Sequence, residues 1–331
     1  MRPLWKDIVT AFIMGMVLPA LFLNFSIMLL DAQRPVVEIE ASVPAQSAVK
    51  EESRLVKVRN DAGKVTRQKM DEYLVGVLLG EMPASFEVEA LKAQSVVART
   101  YAEKANSTGG KHGDGSVCTR ASCCQGFVSK EAYLEQGGTE EGIKRVEEAV
   151  KAVSGLCLAY EGELIEATYF SCSGGYTEAA ISVWGTDYPY LQAVSSPGEE
   201  DAAYYTDTRH FTAQAFQNAL GETLDGSPAQ WFGKVTYTDG GGVEVMNIGE
   251  KEYTGTQLRA LLNLRSTAFT VSVDQQVITI TTRGYGHRVG MSQYGADAMA
   301  AEGKTFRQIL AHYYPGTELV ELDSNSGTVI S

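Results

Sequence analysis

The longest apolar run in the chain lies near its N-terminus. Residues 8–30 carry no charge, and a helix of that length, at about 1.5 Å per residue, spans a hydrocarbon core about 30 Å thick. Arg2 and Lys6 precede the run, so the positive-inside rule predicts a single-pass anchor in the cell membrane, with residues 1–7 in the cytoplasm. A cleaved signal peptide is the alternative, but its apolar region is shorter and ends in small residues, whereas this run ends at Leu30.

The pattern beyond the anchor predicts a tether followed by an extracytoplasmic domain. Residues 31–53 show no apolar periodicity, which is typical of a flexible linker, and residues 54–331 form the predicted domain. Apolar residues recur at spacings of three and four over residues 69–104, which predicts two helices separated at Pro83. Residues 139–153 predict a further helix that begins after Thr139 as its N-cap.

Short β-rich runs dominate the remainder of the domain. A strand is predicted at residues 54–60, and helices are predicted at 211–220 and 254–262. The other predicted strands cover residues 156–160, 166–170, 233–237, 243–248, 269–273 and 276–282. Helices and strands follow one another without regular β-α alternation, which favours an α+β fold, with residues 200–280 as a smaller β-rich peripheral lobe.

Composition narrows the choice of partners. The chain has 331 residues, of which 44% are hydrophobic and 21% charged, which is typical of a globular domain with a large core. Its net charge is −13, and no cluster of Lys or Arg offsets that charge. Because phosphate backbones repel acidic proteins, the sequence predicts no nucleic-acid partner.

Glu81 is the candidate catalytic acid. It lies three and four residues after Leu78 and Val77, on their apolar helical face, and immediately before Met82 and Pro83. Apolar neighbours disfavour the charged form of a carboxyl and raise its pKa, so the group carries a proton near neutral pH. Protonation of a glycosidic oxygen requires such a group. The alternative is an ordinary glutamate at a helix C-terminus, turned to solvent.

Residues 105–128 form a polar loop that contains a candidate metal site. His112, Cys118 and Cys124 follow one another at intervals of six residues. Thiolate and imidazole are the ligands that zinc favours, and a fourth ligand completes its tetrahedron. A disulfide is the alternative, because an extracytoplasmic domain permits one. The chain has five cysteines, however, so full pairing leaves one over.

Six motifs, in the same order, resemble the stage II sporulation protein D family. They are Gly-Glu-Met-Pro-Ala-Ser-Phe at 80–86, Ala-Leu-Lys-Ala-Gln at 90–94, Ala-Arg-Thr-Tyr at 98–101, Ser-Gly-Gly-Tyr-Thr at 173–177, Val-Trp-Gly at 183–185 and Gly-Met-Ser-Gln-Tyr-Gly-Ala at 290–296. The resemblance covers the chain from end to end. Cys172 and Arg288 depart from the family's pattern, in which serine and glycine are common.

The resemblance implies a lytic transglycosylase that acts during engulfment in spore-forming bacteria. Such enzymes cut between N-acetylmuramic acid and N-acetylglucosamine in peptidoglycan glycan strands and leave a 1,6-anhydro sugar. The family's catalytic glutamate falls on Glu81. The implied substrate is glycan stripped of its stem peptides by stage II sporulation protein P, and stage II sporulation protein M is the implied membrane partner.

The resemblance also implies a set of binding residues. Zn²⁺ falls on His112, Cys118 and Cys124, where its role would be to order the loop near Glu81. The glycine-rich and aromatic motifs would wall the cleft, although each of their residues fits core or turn architecture equally well. The implied substrate-binding residues are Arg99, Ser173, Gly174, Gly175, Tyr176, Tyr285, Gln293 and Tyr294.

Two further functions compete with glycan cleavage. One is a non-catalytic peptidoglycan-binding scaffold, which a buried acidic residue disfavours because an unpaired buried charge is costly. The other is a zinc-dependent cell-wall hydrolase such as an amidase, which needs an open metal position and a nearby base.

Two roles are open for Arg288, which departs from the family's pattern. It adds a contact for a sugar carboxyl, or it restricts its loop.

Overall fold

The computed structural model describes residues 54–322, 329 and 330. The predicted anchor (8–30) and tether (31–53) lie outside the described residues, and both stay predictions. Each helix within the described part of the chain lacks either the length or the apolar character that is needed to cross a membrane.

Helices and short strands follow one another irregularly, which confirms the mixed α+β class. The helices are α1 (Met70–Glu81), α2 (Val88–Thr108), α3 (Lys130–Glu135), α4 (Glu140–Ala152), α5 (Ala180–Trp184), α6 (Ala213–Leu220), α7 (Gly255–Leu261), α8 (Gln293–Ala301) and α9 (Phe306–Tyr313). The first eight strands are β1 (Leu55–Arg59), β2 (Val65–Lys69), β3 (Val117–Cys118), β4 (Leu156–Tyr160), β5 (Glu163–Leu164), β6 (Tyr169–Phe170), β7 (Gly175–Tyr176) and β8 (Ser195–Ser196). The others are β9 (Thr206–Thr212), β10 (Phe232–Tyr237), β11 (Val243–Ile248), β12 (Lys251–Thr254), β13 (Phe269–Asp274), β14 (Val277–Arg283), β15 (Met291–Ser292), β16 (Glu318–Leu322) and β17 (Val329–Ile330).

The larger hydrophobic core surrounds α2. This helix packs against α1, α4, α8 and α9, and also against β4. Its buried positions are mostly small residues, such as Ala93 and Ala98, which let neighbouring helices approach closely. Its buried hydroxyls are satisfied inside the core: Thr100 donates to the carbonyl of Val96 and accepts the backbone N–H of Leu158. The long central helix therefore anchors both the helical layer and the strand beside it.

The turn between α1 and α2 follows from Pro83. Met82, which precedes it, has extended backbone angles, as the clash with a proline ring requires. The helix of residues 140–152 begins where predicted, because the Thr139 hydroxyl accepts the backbone N–H of Gly142. Both boundaries flank the same cavity, described below.

A second hydrophobic core is made of residues 216–280. It is formed by α6 and α7 together with two three-stranded antiparallel sheets, ordered β10-β11-β12 and β13-β14-β9.

Two predicted elements differ from the observed ones, the first beside this second core and the other beside the larger core. Phe211 and Thr212 belong to β9, so α6 begins only at Ala213, where Thr212 caps it. The strand predicted at 166–170 is confined to Tyr169–Phe170, which pair in parallel with β15.

Candidate functional site

Glu81 is the last residue of α1, and a loop presses against the helix just before it. Gly76 and Gly80 lie on the face that meets the loop. A Cβ atom at Gly76 would lie 2.2 Å from the ring of Phe127, and one at Gly80 would lie 2.9 Å from the backbone nitrogen of Phe127. The backbone N–H of Val128 donates to the carbonyl of Gly76, at 2.9 Å. Two glycines in one helix are unfavourable by roughly 1 kcal/mol each relative to alanine, but here they admit the loop.

The loop delivers a backbone donor to the candidate acid. The N–H of Gly126 donates to Oε1 of Glu81. A Cβ atom at Gly126 would lie 2.9 Å from that same oxygen, so only glycine fits without a shift of the carboxyl or the loop. The hydroxyl of Tyr169, which donates to Oε1 of Gln125 at 3.3 Å, lies close enough to the Glu81 carboxyl to lower its pKa. The amide Nε2 of Gln293 is buried near the carboxyl and makes no hydrogen bond of good geometry within the described residues.

Burial raises the pKa of Glu81 above its ordinary value. The backbone N–H of Gly126 and the nearby side chains of Tyr169 and Gln293 act in the opposite direction but are outweighed. Burial also keeps Tyr169 in its neutral form, since the pKa of its hydroxyl is raised well above 10. The carboxyl is therefore poised to hold a proton at higher pH than an exposed glutamate, next to donors that favour its charged form once the proton leaves.

Two cavities meet at Glu81. The first, of about 780 Å³, is lined by the end of α1, the turn after it, the start of α4 and the start of α8. The second, of about 660 Å³, is lined by the loop that carries Cys123 and Cys124, by residues 166–171 and 285–287, and by Trp184 and Tyr188. Glu81 and Ser171 line both cavities. The carboxyl thus lies where an elongated ligand would pass from one half of a cleft to the other.

The second cavity is rich in aromatic rings. Trp184 is 42% exposed, and its ring lies 5.4 Å from the ring of His287. Burial lowers the pKa of His287 to about 4, so its ring is neutral at neutral pH. Nδ1 of His287 accepts the backbone N–H of Val289 at 3.1 Å, and the ring also interacts with the backbone of Tyr169. The neutral imidazole therefore ties β6, which carries Tyr169, to the loop before β15.

The predicted metal ligands come together beside this cavity. The ligand atoms of His112, Cys118, Cys123 and Cys124 all lie within 4.8 Å of one another. Nε2 of His112 is 3.6 Å from Sγ of Cys124 and 3.9 Å from Sγ of Cys123, and the two sulfurs are 3.9 Å apart. A tetrahedral zinc with ordinary bond lengths places such donors about 3.5–3.8 Å apart. The donor set therefore fits zinc.

The distance between the sulfur atoms of Cys123 and Cys124 disfavours a disulfide between them. All five described cysteines are free thiols, and a sulfur separation of 3.9 Å is far beyond the roughly 2.05 Å of a disulfide. Burial disfavours the thiolate of Cys118, but a backbone hydrogen bond from Arg120 and the side chain of His112 outweigh it and lower its pKa to about 6. A thiolate in this group is the form that binds metal.

The metal group is coupled to Glu81 through a short stretch of chain. Gly126 follows Cys124 by two residues, and its N–H is the one that Glu81 accepts. Lys111 donates to the carbonyl of Cys123, which fixes the other side of the turn. A cross-link through these ligands would therefore fix the backbone that binds the carboxyl.

The structure distributes the predicted substrate-binding residues over several environments. Gln293 and Tyr294 line the first cavity and Tyr285 lines the second, whereas Tyr176 is 54% exposed and lies elsewhere. Arg99 is buried in the core and pairs with Asp71 at 2.6 Å. The roles predicted for all these residues stay predictions.

The glycine-rich motif at 173–175 surrounds a buried carboxylate. Oε2 of Glu199 accepts the backbone N–H groups of Ser173 and Gly174, and also the Ser173 hydroxyl. The Ser173 hydroxyl in turn accepts the N–H of Gly175. Cys172, where the family commonly has serine, donates to the same oxygen at 3.2 Å and takes no part in the metal group.

Arg288 restricts its loop and lines neither of the two cavities. It is 1% exposed at a φ of 67°, and its guanidinium donates to carbonyls of Ser173, Tyr176 and Gly240. It also pairs with Glu178 at 3.0 Å. Of the two roles that the sequence left open, contact with a sugar carboxyl is wrong, because every face of this guanidinium is occupied by protein. The arginine instead ties the 173–178 segment to the second core.

Four residues of the site were missed by sequence reasoning. Cys123 is the fourth donor, and its only signal was adjacency to Cys124. Gly126, Tyr169 and His287 carried no recognisable pattern, because their roles arise from chain segments that meet only in the fold.

Comparison with known proteins gives the family. A family model, SpoIID: Stage II sporulation protein, matches residues 58–160. Stage II sporulation protein D of Bacillus subtilis (strain 168) is 42% identical over 260 residues, which cover 77% of this chain and 75% of that protein. The Bacillus amyloliquefaciens protein of the same name is 40% identical over 261 residues, with the same coverage.

A more distant relative is the amidase enhancer of Bacillus subtilis (strain 168). It is 30% identical over 305 residues, which cover 74% of this chain but 40% of that protein. The high identity and coverage of the sporulation proteins show what the motifs suggested: this chain belongs to the stage II sporulation protein D family.

Proposed function

We propose that this chain is a lytic transglycosylase of sporulation, which cuts the bond between N-acetylmuramic acid and N-acetylglucosamine in peptide-stripped glycan strands. The observation that carries the proposal is Glu81, a carboxyl whose pKa is raised by burial at the junction of two cavities. A glycan strand lying through both cavities would present a glycosidic oxygen to this acid.

Glu81 acts first as an acid. Its proton passes to the oxygen that links the two sugars, the bond from the muramic C1 to that oxygen breaks, and N-acetylglucosamine leaves with a new hydroxyl. The muramic ring is left with the positive charge of an oxocarbenium-like state. Glu81 is now a carboxylate, which the N–H of Gly126 and the nearby side chains of Tyr169 and Gln293 favour.

Glu81 acts second as a base. It accepts the proton of the muramic C6 hydroxyl while O6 forms a bond to C1, which closes the 1,6-anhydro ring and restores the acid. The nucleophile belongs to the substrate, so no second protein carboxylate is needed. Glu141 lines the first cavity and Glu166 the second, but neither lines both, and Glu166 is paired with Lys104 at 2.9 Å.

Zinc fits a structural role in this proposal. His112, Cys118, Cys123 and Cys124 supply four protein ligands, which fill a tetrahedron and leave no position for a water nucleophile. When bound, the metal would cross-link the loop that presents Gly126 to Glu81. The closed ligand set disfavours the zinc-hydrolase alternative, which needs an open position.

The location and partners are also proposed. The family resemblance and the apolar run at 8–30 support a chain anchored in the cell membrane with residues 54–331 outside it. An amidase, stage II sporulation protein P, would prepare the substrate by removing stem peptides, and stage II sporulation protein M would be the membrane partner.

The test uses the full chain in detergent, incubated with peptide-stripped glycan strands. Mass spectrometry of the products of the wild type is expected to show 1,6-anhydro-muramic ends. Glu81→Gln keeps the shape of the side chain but removes the acid, and it should lower the rate by about 10²–10⁴-fold. Glu87→Gln is the matched control, because Glu87 is exposed and lies outside both cavities.

Other outcomes would overturn the proposal. Hydrated reducing ends would identify a conventional glycosidase with a second carboxylate. Strand binding without any cleavage by folded wild-type protein would favour the scaffold.

A further inference from the structure

An arginine packs against two tyrosine rings that line the cleft. The Arg265 guanidinium carbon is 5.2 Å from the ring centroid of Tyr204 and 5.5 Å from that of Tyr285. The two rings are 5.3 Å apart and about 40% exposed. Tyr204 lines the first cavity and Tyr285 lines the second. Arg265 itself lines neither cavity, but each of the two rings that it contacts lines one half of the cleft.

The donors of Arg265 are largely uncommitted. Its side chain is 33% exposed and makes no hydrogen bond within the described part of the chain. Its one ionic partner is Asp207, whose Oδ1 lies 3.4 Å from Nε. The two terminal nitrogens make neither a hydrogen bond nor an ion pair with the described residues.

The two cations that line the cavities are committed to protein carbonyls. Arg145, in the first cavity, donates to the carbonyls of Ala84 and Phe86, at 3.1 and 2.7 Å. Lys111, in the second, donates to the carbonyl of Cys123. Both stabilise loops. Of these three cations, Arg265 is therefore the one with the fewest hydrogen bonds to protein.

We propose that Arg265 recognises the free lactyl carboxylate of a muramic residue and thereby selects strands that have lost their stem peptides. The inference rests on the proposed function, since it concerns the substrate of the same cleft. In an intact strand the lactyl carboxyl is joined to the peptide as an amide, which is neutral. Removal of the peptide exposes a carboxylate, and an arginine fork binds such a planar anion through two parallel hydrogen bonds.

The flanking rings suit this role. Contact with two aromatic rings restricts the guanidinium before it binds, so it loses less freedom when it binds. They also offer apolar faces on which a sugar ring can lie. In a chain with a net charge of −13, an anionic strand needs such a local cation at the cleft.

The experiment measures strand binding, so that it does not depend on cleavage. The full chain in detergent carries Glu81→Gln throughout, and its affinity is measured by calorimetry for two strand preparations. One preparation has free lactyl carboxylates. In the other, the same carboxyls have been converted to methylamides with carbodiimide and methylamine.

The carboxylate strands are expected to bind about tenfold more tightly than the methylamide strands, as for a hydrogen bond to a charged group that is partly exposed. Arg265→Gln should abolish this preference by weakening only the binding of carboxylate strands. Arg265→Lys keeps the charge without the fork and should retain part of the preference. Arg209→Gln is the control, because Arg209 also faces Asp207, at 4.0 Å, but contacts neither ring.

Three outcomes would overturn the inference: no preference in the parent protein, an unchanged preference in Arg265→Gln, or equal loss on both strand types, which would mean a purely structural role. Failure of the proposed function is distinguishable. The carboxylate strands could bind with a preference that depends on Arg265 and yet never be cut by protein with Glu81 intact. That result would overturn the transglycosylase proposal but not the role of Arg265.

Discussion

The two cavities that meet at Glu81 differ in what holds their walls. The first is built from ends of helices, where α1 stops, α4 starts after its Thr139 cap and α8 starts after Ser292. The second is built mainly from loops, which the cysteine group and the contacts of the His287 imidazole with Phe170 and Trp184 hold together. Backbone hydrogen bonds of regular helices fix one wall, whereas individual side chains fix the other.

This difference teaches that the two walls fail in different ways. A change in the helical wall is resisted by many backbone hydrogen bonds, so its effect stays local. A change in one fastening group of the loop wall releases a whole segment, including Gly126 and hence the environment of Glu81. The predictions below test this contrast.

The largest effect is expected from loss of a metal ligand. Cys124→Ser removes a donor from the group of four, so the loop that carries Gly126 loses its cross-link. Cleavage of peptide-stripped strands should fall by about 100-fold or more, by comparison with the 10–100-fold typical of residues that only support a ligand. The measurement pairs the cleavage rate with zinc content by elemental mass spectrometry.

Ser122→Ala is the control for this prediction, because Ser122 lies in the same loop and lines the same cavity but offers no ligand. It should keep both metal and activity. A Cys124→Ser protein that loses zinc and still cuts strands at the normal rate would show that the loop wall does not depend on the metal.

A smaller effect is expected from Gly126→Ala. The new Cβ would lie 2.9 Å from Oε1 of Glu81, so either the carboxyl or the loop must shift. We expect kcat to fall about 10–100-fold with little change in KM, because the change disturbs the acid and not the sugar contacts. Ala121→Ser, in the same loop, is the control. A rise in KM alone would contradict this interpretation.

A modest effect is expected from removal of one aromatic ring in the loop wall. Trp184→Ala deletes an exposed ring of the second cavity and should raise KM about three- to tenfold, at nearly unchanged kcat. Tyr237→Ala, which removes an equally prominent ring outside both cavities, should leave both constants alone. Equal effects of the two variants would remove the case for a sugar-binding wall.

The smallest effect concerns stability and pH. Burial raises the folded-state pKa of Glu81 above its unfolded value. The stabilisation from its protonated form is therefore complete below the unfolded pKa, near 4.5, and is lost as pH rises through the folded pKa. The Tm of the wild type, measured relative to Glu81→Gln, should fall across this window. A difference in Tm that is constant with pH, or that grows, would mean that the carboxyl is not buried.

The sequence predicted the helical wall better than the loop wall. The end of α1, the extended Met82 and the cap at Thr139 all follow from local rules for proline and N-cap residues. The environment of Glu81 was predicted on the same basis, since Val77 and Leu78 share its helix and are fully buried.

The loop wall depends on pairings that local patterns do not contain. Tyr169 reaches Glu81 because β6 pairs in parallel with β15, whose Met291 lies opposite Tyr169. Cys123 was missed because the regular spacing of His112, Cys118 and Cys124 already supplied three ligands. In the second core, β9 has the sequence Thr-Asp-Thr-Arg-His-Phe-Thr, without apolar alternation, and is fixed by its pairing with β14.

The glycine face of α1 has a consequence for protein engineering. Replacing helical glycines with alanine is a standard route to thermostability, at roughly 1 kcal/mol per site. In this helix an added Cβ atom at Gly76 would lie 2.2 Å from the ring of Phe127. One at Gly80 would lie 2.9 Å from the backbone nitrogen of Phe127. The sequence that makes this helix most stable by itself is therefore not the one that makes the whole protein most stable. Any consensus or library design for this fold should hold Gly76 and Gly80 constant.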